Sequence, residues 1–221
     1  MSFLTDNKLK TFAFFTFAAK IVKMLDKNYW KNRWQTESTP WDAGEVTTPI
    51  REFVDYLVEK HTDRNLRILI PGAGSGHEAF YFYQNGFHNI TVCDWAEEAI
   101  QKLKMQLPQL NDNQFIVGNF FDLKGQFDLI VEQTFFCALD PHLRPRYVQK
   151  CFELLDTEGG IRGVLFNQIF PFDGPPFGGT IAEYRAHFAP YFDILTLEEC
   201  RNSIKPRAGT ELWINFKKRN L

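Results

Sequence analysis

The sequence predicts an α/β protein built on a doubly wound, mostly parallel β-sheet. An apolar strand-type run, a glycine-rich turn and a helix follow one another within residues 66–86. Strand-type and helix-type segments then alternate as far as residue 219, the pattern that places helices on both faces of a parallel sheet. The 221 residues, 44% of them hydrophobic, are enough for one substantial core. Ligands of such sheets bind beyond the carboxyl ends of the strands, so we expect the site there.

The first unit reads as a strand, a turn and a helix in direct succession. Its strand is expected at 66–70, where the residues are almost all aliphatic. Its helix is expected at 78–85 and is ended by Gly86. This order brings backbone N–H groups and a helix N-terminus beside any ligand that binds at the turn.

The turn itself carries a Gly-x-Gly-x-Gly motif at Gly72, Gly74 and Gly76. Glycine adopts positive φ cheaply and lets a ligand approach the backbone closely. This spacing is typical of S-adenosylmethionine-dependent methyltransferases. The dinucleotide fingerprint would need its third glycine where this chain has His77, which counts against NAD. A tight strand–helix turn without a ligand is the alternative explanation.

The second unit supplies an acid at the place where a nucleotide-binding α/β fold needs one. A strand is expected from Ile90, Asp94 stands at its carboxyl end, and a helix begins at about Ala96. A carboxylate accepts two hydroxyl hydrogen bonds at once, which suits the ribose diol. The alternative is that Asp94 only caps the following helix. Its distance behind the glycine turn favours ribose binding.

The remaining elements continue the alternation, with no internal repeat. Between two of them, residues 171–179 are too rich in Pro and Gly for regular structure. The helix before the fifth strand is expected to end in Glu158-Gly159-Gly160. Strands are predicted at 114–120, 127–133, 161–169, 192–200 and 211–219, and helices at 97–106, 146–155 and 181–188.

Composition narrows the partners and the compartment. The net charge is −2 and the basic residues form no run beyond 217–219, which argues against nucleic acid as a partner. The chain has four cysteines, none in a Cys-x-x-Cys pair, and no cluster with metal-ligand spacing. Cys93 falls in a central strand and reads as a reduced, buried thiol. We therefore expect a cytoplasmic, metal-free monomer that acts on a small molecule.

The N-terminus contains an apolar stretch that needs separate treatment. Residues 11–19 resemble the apolar core of a signal peptide, but Lys20 and Lys23 follow at once and the stretch is too short to span a bilayer. We expect an amphipathic helix that lies on the domain. Alternatively, translation begins at Met24. The predicted organisation is an N-terminal extension with a tryptophan-rich segment at 1–49 and an α/β domain at 50–221.

Several motifs in fixed order give the chain a resemblance to a known family. It resembles the thiopurine methyltransferase superfamily, and within it the branch of halide and thiocyanate (thiol) methyltransferases. The resemblance implies a class I, Rossmann-like methyltransferase fold with a seven-stranded sheet whose last strand is antiparallel. It also implies S-adenosylmethionine as the cofactor, a tryptophan-rich segment within residues 1–49 that covers it, and a methyltransferase domain at 50–221. Residues 1–49 are called the preface below. The matching segments are 29–44, 69–79, 92–100, 118–123, 127–145 and 173–179.

The resemblance also implies which residues contact the cofactor. The glycine turn would hold the methionine part, Asp94 the ribose, and Asn119 and Phe120 the adenine. The halide branch commonly has an acid in place of Asn119, but an amide also accepts from the adenine amine. Gln133 would lie near the sulfonium, where the halide branch tends to have Tyr and the thiopurine branch Arg. The implied cofactor residues are Trp30, Trp34, Trp41, Gly72, Gly74, Gly76, Asp94, Asn119, Phe120 and Gln133.

The tryptophans also have an explanation that involves no ligand. Trp30 and Trp34 are four residues apart, so they share one face of a helix and could be core anchors. Trp41 follows Thr39-Pro40 on an extended or turn segment, where helix packing explains a ring less easily. A site role is therefore favoured for Trp41, and both explanations stay open for the other two.

The acceptor side is expected to be aromatic, with a donor for a small anion. Trp41, Phe136 and Phe177 are predicted walls; ordinary packing is the alternative for Phe136, and packing within the loop is the alternative for Phe177. Gln133 and Arg144 are the candidate donors, although Arg144 could simply face water. No His/Asp base is evident, and a soft anion or thiolate needs none, because positioning and exclusion of water are then the main tasks.

Three rival functions have specific sequence tests. The missing third glycine argues against an NAD-dependent oxidoreductase. A nucleic-acid amino-methyltransferase typically has an Asp/Asn-Pro-Pro-aromatic element after its fourth strand, whereas Pro175-Pro176-Phe177 follows the fifth here. A non-catalytic S-adenosylmethionine-binding protein is the third rival, and only turnover separates it from an enzyme.

Overall fold

A computed structural model of the protein describes residues 25–221. Within them, seven strands form one sheet in the order β3-β2-β1-β4-β5-β7-β6. All neighbours pair in parallel except those of β7, which runs antiparallel to both β5 and β6. The predicted fold class is therefore confirmed. The strands are β1 Ile68–Pro71, β2 Ile90–Asp94, β3 Phe115–Val117, β4 Phe127–Gln133, β5 Leu155–Phe166, β6 Phe192–Glu199 and β7 Glu211–Lys218.

Helices cover both faces of the sheet. One apolar core joins the sheet to α2, α3 and α4 through residues such as Val54, Phe82 and Leu103. The other joins it to α5 and α6 through Tyr147 and Phe188. The central strands are buried on both sides, as parallel strands between helical layers must be. The helices are α1 Lys27–Gln35, α2 Thr48–Glu59, α3 His77–Gln84, α4 Glu97–Gln106, α5 Arg144–Leu154 and α6 Ile181–Phe188.

The strand order decides which loops meet at the carboxyl edge of the sheet. The chain reverses direction across the sheet between β1 and β4, which is the switch point where such folds bind ligands. Segments that follow β2 and β3 lie on one side of this point. The segment that follows β5 lies on the other side, together with the start of β7, because Glu211 pairs with Phe166 in the antiparallel register. Residues distant in sequence are thus brought to one edge.

One element boundary differs clearly from the prediction. The helix expected to reach Glu158-Gly159-Gly160 ends at Leu154, and β5 begins at once and includes those glycines. A Cβ at Gly160 would lie 2.5 Å from the carbonyl oxygen of Phe216 in β7. These glycines therefore permit close strand packing in the sheet and do not end a helix. The local prediction was wrong because a long-range contact sets the role of the glycine.

The N-terminal predictions are tested only in part. The helix expected at residues 11–19 and a start at Met24 lie outside the described residues. The described part of the preface contains α1, whose first turn is capped by Asp26 through the N–H groups of Asn28 and Tyr29, both at 3.0 Å. Among residues 25–221, no helix has the length and apolar character needed to cross a membrane.

Candidate active site

A cavity of about 370 Å³ opens at the carboxyl edge of the sheet. Its volume is in the range of small-molecule sites. One end is formed by residues after β2 and β3, and the other by the loop after β5 and the residues before β7. Of the predicted site residues, eight line this cavity: Trp30, Trp34, Trp41, Gly72, Gly74, Asp94, Asn119 and Phe120.

Asp94 ties the end of β2 to the glycine turn. Its Oδ2 accepts the N–H of Gly74 at 3.0 Å, and its Oδ1 accepts the N–H of Ala96 at 2.9 Å. Burial raises the pKa of Asp94, although these backbone hydrogen bonds lower it. The carboxylate thus orders the turn that leads into α4 and also lines the cavity, but it makes no capping bond to that helix, whose N-cap residue is Ala96. Each oxygen has a further lone pair for a ligand hydroxyl, so these contacts and ribose binding are compatible.

The three glycines of the turn have different reasons to be glycine. All have positive φ, between +53° and +71°. A Cβ on Gly72 would collide with the ring of Phe135, and one on Gly76 would collide with Leu103. A Cβ on Gly74 would meet nothing nearer than a Trp34 ring atom at 3.7 Å, so its open side faces the cavity.

Gly76 does not line the large cavity. It begins α3 and borders a smaller polar pocket of about 50 Å³ on the other side of the turn. Gln133 borders the same pocket, and its Oε1 accepts the hydroxyl of Thr47 at 3.0 Å. Packing against Leu103 explains Gly76 without a ligand.

The tryptophans of the preface form a wall and not a core. No residue of α1 is fully buried. The rings of Trp30 and Trp41 meet edge to face at 5.5 Å, and the guanidinium of Arg33 lies 5.3 Å above the Trp41 ring. The explanation of Trp30 and Trp34 as core anchors finds no support, because both rings are only half buried and face the cavity.

An acid that the sequence argument missed fastens this wall to the glycine turn. Asp42 accepts hydrogen bonds from the hydroxyl of Ser75, from Nε2 of His77 at 2.7 Å and from the N–H of Gly44 at 2.8 Å. Burial raises the pKa of Asp42, but these hydrogen bonds outweigh it and hold the pKa below its ordinary value. No spacing along the chain marked Asp42, because Ser75 and His77 lie 33 and 35 residues away.

The end of the cavity beyond β3 is built around a short turn. Asn119 accepts the N–H of Phe121 through its side-chain oxygen at 3.1 Å and so begins that turn. Phe120 is almost fully buried, and its ring lies 5.3 Å from that of Phe135. Trp95, which sequence reasoning did not select, also lines this end. It directly follows Asp94 in the sequence, and this position could have identified it as a cavity residue.

Phe136 does not form a wall of the cavity. It is 1% exposed and packs against the rings of Tyr147 and Tyr184 at 5.2 and 5.8 Å. The guanidinium of Arg144 covers its other side at 4.9 Å. The prediction that Phe136 contacts the acceptor is contradicted. It was based on the position after a strand end, where Phe135 takes the outward place and lines the cavity.

Arg144 also lies away from the cavity. Its side chain is buried, and Nη1 donates to Glu183 at 2.5 Å while Nη2 donates to the carbonyl of Gly178 at 2.8 Å. It fastens the loop at 173–179 to α6. Because Arg144 is buried outside the lining of the cavity, both the predicted acceptor role and the exposed alternative are contradicted.

In the loop after β5, prolines and not the phenylalanine face the cavity. Pro175 and Pro176 line it. Phe177 is half buried outside the lining, and its N–H donates to the carbonyl of Cys137 at 2.7 Å. The alternative of packing within the loop therefore accounts for Phe177.

A cationic residue at this end of the cavity was not predicted. Arg207 lines the cavity just before β7, and its Nη2 donates to the carbonyl of Trp41 at 2.7 Å. Its Nη1 lies 3.6 Å from Oε1 of Glu211. Because β7 runs antiparallel, the residues that precede it lie at the carboxyl edge of the sheet, where the cavity opens. Arg207 can be predicted there only when the complete strand order is known.

The residues present fit a nucleoside sulfonium. The open side of Gly74 leaves room beside the backbone, Asp94 offers acceptor lone pairs, and aromatic rings surround the space between the two ends. Within residues 25–221, no group of three His, Cys, Asp or Glu side chains is arranged to hold a metal ion. The fold and the cavity define a class I methyltransferase that uses S-adenosylmethionine.

Comparison with known proteins identifies the family. The model of the thiopurine S-methyltransferase family matches residues 25–216, and the chain belongs to this family. A probable thiol methyltransferase 2 of Arabidopsis thaliana is 31% identical over 198 residues, which are 86% of this chain and 84% of that protein. Thiocyanate methyltransferase 1 of the same plant is 27% identical over 209 residues, covering 92% of this chain and 90% of that protein.

A solved structure shares the fold. The 1,6-didemethyltoxoflavin-N1-methyltransferase of Burkholderia thailandensis, which contains its substrate and S-adenosylhomocysteine, superposes with a TM-score of 0.69. The alignment covers 91% of this chain and 90% of that one at 17% identity. This similarity supports the fold assignment alone.

Proposed function

We propose that the protein moves a methyl group from S-adenosylmethionine in line to a small, soft nucleophile: a thiol, a thiopurine, thiocyanate or a halide. The observation that carries this proposal is the division of one cavity into two chemically different ends. Asp94 and Asn119 mark one end, and Pro175, Pro176 and Arg207 mark the other. The first end suits a nucleoside and the second a small apolar or anionic acceptor.

The cofactor end is assigned from contacts that the chain already makes. Asp94 would hold the ribose, Asn119, Phe120 and Trp95 the adenine, and Gly74 the link between ribose and sulfur. When bound, S-adenosylmethionine supplies an electrophilic methyl group on a positively charged sulfur. Aromatic faces near such a cation attract it by about 0.5–2 kcal/mol each.

The methionine end of the cofactor suits the smaller polar pocket. Gln133, Thr47 and the glycine turn border it. Of the predicted cofactor residues, Gly76 and Gln133 would therefore act here and not in the large cavity. The tryptophan preface, Trp30, Trp34 and Trp41, would close over the sulfonium and exclude water.

The acceptor end has apolar walls and one cation. This end offers few hydrogen-bonding groups to a strongly hydrated molecule, because it is lined by Trp41, Phe166, Pro175 and Pro176. The guanidinium of Arg207 favours a negative charge. Soft, weakly hydrated nucleophiles match both properties. The printed names of the two plant relatives, a thiol and a thiocyanate methyltransferase, support an acceptor of this kind.

Further properties of the protein are proposed on chemical grounds. The four cysteines, at positions 93, 137, 151 and 200, are all free and buried, which suits a reducing compartment such as the cytoplasm. The net charge of −2 does not favour nucleic acid. We expect a monomer. The segment before residue 50 is proposed as the cofactor-covering part of the molecule and the remainder as the methyltransferase domain.

Binding and turnover with purified protein test the proposed function. Calorimetry with S-adenosylhomocysteine tests the cofactor end. Asp94→Asn should weaken binding about 10- to 100-fold, because a hydrogen bond to a charged group contributes about 1.5–3 kcal/mol. Asp122→Asn, an exposed change of the same chemistry, should leave affinity unchanged. Equal affinity of wild type and Asp94→Asn would refute the ribose assignment.

Methyl-labelled S-adenosylmethionine with a panel of acceptors then tests the reaction. Iodide, thiocyanate, hydrosulfide, an aromatic thiol and a thiopurine should include at least one that yields a methylated product. Headspace analysis detects the volatile products. Binding without turnover of any member would favour the non-catalytic binding protein, and oxidation of NADH would favour the oxidoreductase.

A further inference from the structure

One oxygen of a buried carboxylate beside the acceptor end of the cavity accepts no hydrogen bond. Glu211, the first residue of β7, is 3% exposed, and its Oε1 is buried without a hydrogen-bond donor, as Nη1 of Arg207 is without an acceptor. The nearest cationic atom is Nη1 of Arg207 at 3.6 Å, beyond hydrogen-bond distance. A buried polar atom without a partner is costly, so its presence in a native site calls for an explanation.

The carboxylate borders a small cavity that shares a wall with the large one. This space of about 10 Å³ lies between the ends of β4, β5 and β7. Such a volume holds one water molecule. Glu132 and Glu211 line it on one side, and Thr134, Cys137 and Phe166 line both this space and the large cavity. These three residues therefore separate the acceptor end from the space beside the carboxylate, and one of them, Thr134, has a hydroxyl group that can relay a proton.

Of the two acids that border this space, only Glu211 is free to accept a proton. Glu132 is saturated: its Oε1 accepts the N–H groups of Phe135 and Phe136, both at 2.8 Å, and its Oε2 accepts the hydroxyl of Tyr147 at 2.6 Å. Glu132 thus shapes the turn after β4. The unpaired oxygen of Glu211 is the remaining acceptor.

We propose that Glu211 takes up the proton of an acceptor S–H group through one water molecule in the small cavity. This inference rests on the proposed function and narrows it to acceptors that arrive as neutral thiols or as hydrogen sulfide. The acceptor sulfur forms a bond to the methyl carbon as the bond from that carbon to the cofactor sulfur breaks. The S–H proton moves to the hydroxyl of Thr134 in the shared wall, this hydroxyl passes its own proton to the water, and a proton of the water moves to Glu211. Release to solvent restores the carboxylate.

The electrostatic surroundings of Glu211 suit this role. Burial raises its pKa, while Ser203 and the charge of Arg207 lower it again in part. The other titratable groups that face it are Glu132, Cys137 and Cys200. The pKa of both thiols is raised by burial, so neither competes for the proton as a thiolate near neutral pH. A base with a raised pKa is better matched to a thiol than an ordinary carboxylate.

The test compares two acceptor classes in one variant. Thiocyanate and iodide carry no proton, whereas an alkyl thiol does near neutral pH. Glu211→Gln should lower the ratio of thiol to thiocyanate kcat by about 100-fold or more, the usual contribution of proton transfer. Glu198→Gln, an exposed change on the neighbouring strand, should leave this ratio as in wild type. In Glu211→Gln, the thiol-to-thiocyanate kcat ratio should rise toward the wild-type value as the pH approaches the pKa of the free thiol. Glu211→Asp should keep a higher ratio than Glu211→Gln.

Two results would overturn the inference. A parallel loss with both acceptor classes in Glu211→Gln would mean that Glu211 only supports Arg207. The second readout needs no variant: transfer of the S–H proton during methyl transfer predicts a solvent deuterium isotope effect on the single-turnover rate with an alkyl thiol and none with thiocyanate. The same isotope effect with both acceptors would refute the inference. If wild type methylates no acceptor of either class, the proposed function itself fails.

Discussion

Glu132 illustrates how one buried side chain can order a loop and also make stability depend on pH. Its carboxylate holds the two N–H groups after β4 and thereby fixes Thr134 at a φ of +61°, where a non-glycine residue is strained. Burial raises the pKa of Glu132 to about 7, although the hydrogen bonds from Tyr147, Phe136 and Phe135 oppose this. The folded protein therefore favours the protonated acid.

Glu132→Gln should remove this pH dependence. A raised folded pKa means that the stabilising contribution is complete below the ordinary pKa of about 4.5 and is lost as the pH rises through about 7. The amide keeps an acceptor for both N–H groups but does not ionise. Relative to the variant, wild type should thus lose free energy of unfolding, on the order of 3 kcal/mol, between about pH 4.5 and pH 8.

Urea unfolding at several pH values measures this difference. Glu198→Gln serves as the control, because it removes an exposed carboxylate from the same sheet. A difference between wild type and Glu132→Gln that stayed constant over this pH range would show that the acid is already ionised in the folded protein.

At the scale of elements, the glycine turn combines residues needed for packing with one that faces the ligand. Ala at Gly76 would add a collision with Leu103 to the strain of a positive φ. Ala at Gly74 would carry similar strain, but its methyl would project toward Trp34 in the cavity. Gly209 has a φ of +74° with nothing within 4 Å of a Cβ, and so provides the control for strain alone.

The three alanine variants should separate these effects. Gly209→Ala and Gly74→Ala should each lose about 1 kcal/mol of stability, and Gly76→Ala about 2–4 kcal/mol. Only Gly74→Ala should lower the affinity for S-adenosylhomocysteine while most of the stability is kept. Thermal unfolding and calorimetry give the two quantities. Equal affinities of Gly74→Ala and Gly209→Ala would argue against a ligand at the turn.

Elements with a strong local pattern could be predicted from the sequence. The helix α6 and the strand β4 were predicted with the bounds that the structure has, because apolar periodicity and flanking turn residues determine both. The start of β5 was not, since Gly159 and Gly160 approach the backbone carbonyls of Phe127 in β4 and Phe216 in β7. Local signals do not report such contacts between distant segments.

The residues of the site also divide into those with a local sequence signal and those without one. The glycine turn and Asp94 carry a spacing signal along the chain. Asp42, Arg207 and Glu211 carry none, because their roles depend on partners 33 or more residues away or on the antiparallel direction of β7. Arg144 is the opposite case. Its charge and its position in the sequence suggested the site, but its side chain holds the loop at 173–179.

For the molecule as a whole, hydrogen bonds connect the preface to opposite sides of the cavity. Asp42 joins it to the glycine turn through Ser75. The carbonyl of Trp41 joins it to Arg207, 166 residues further along the chain. A ligand in the cavity would therefore stabilise three distant segments together. A ligand at about 100 times its Kd adds about 2.7 kcal/mol to the stability of the bound state.

Hydrogen exchange measured by mass spectrometry can show this coupling. Saturating S-adenosylhomocysteine should slow exchange at 72–76, at 40–44 and around Arg207, and should leave the edge strand β6 unchanged because it lies outside the cavity. In Asp42→Asn, an amide replaces the charged acceptor of three hydrogen bonds. Protection at 40–44 should then fall at equal saturation while protection at 72–76 persists. Protection confined to 72–76 in wild type would mean that the preface does not close over the cofactor.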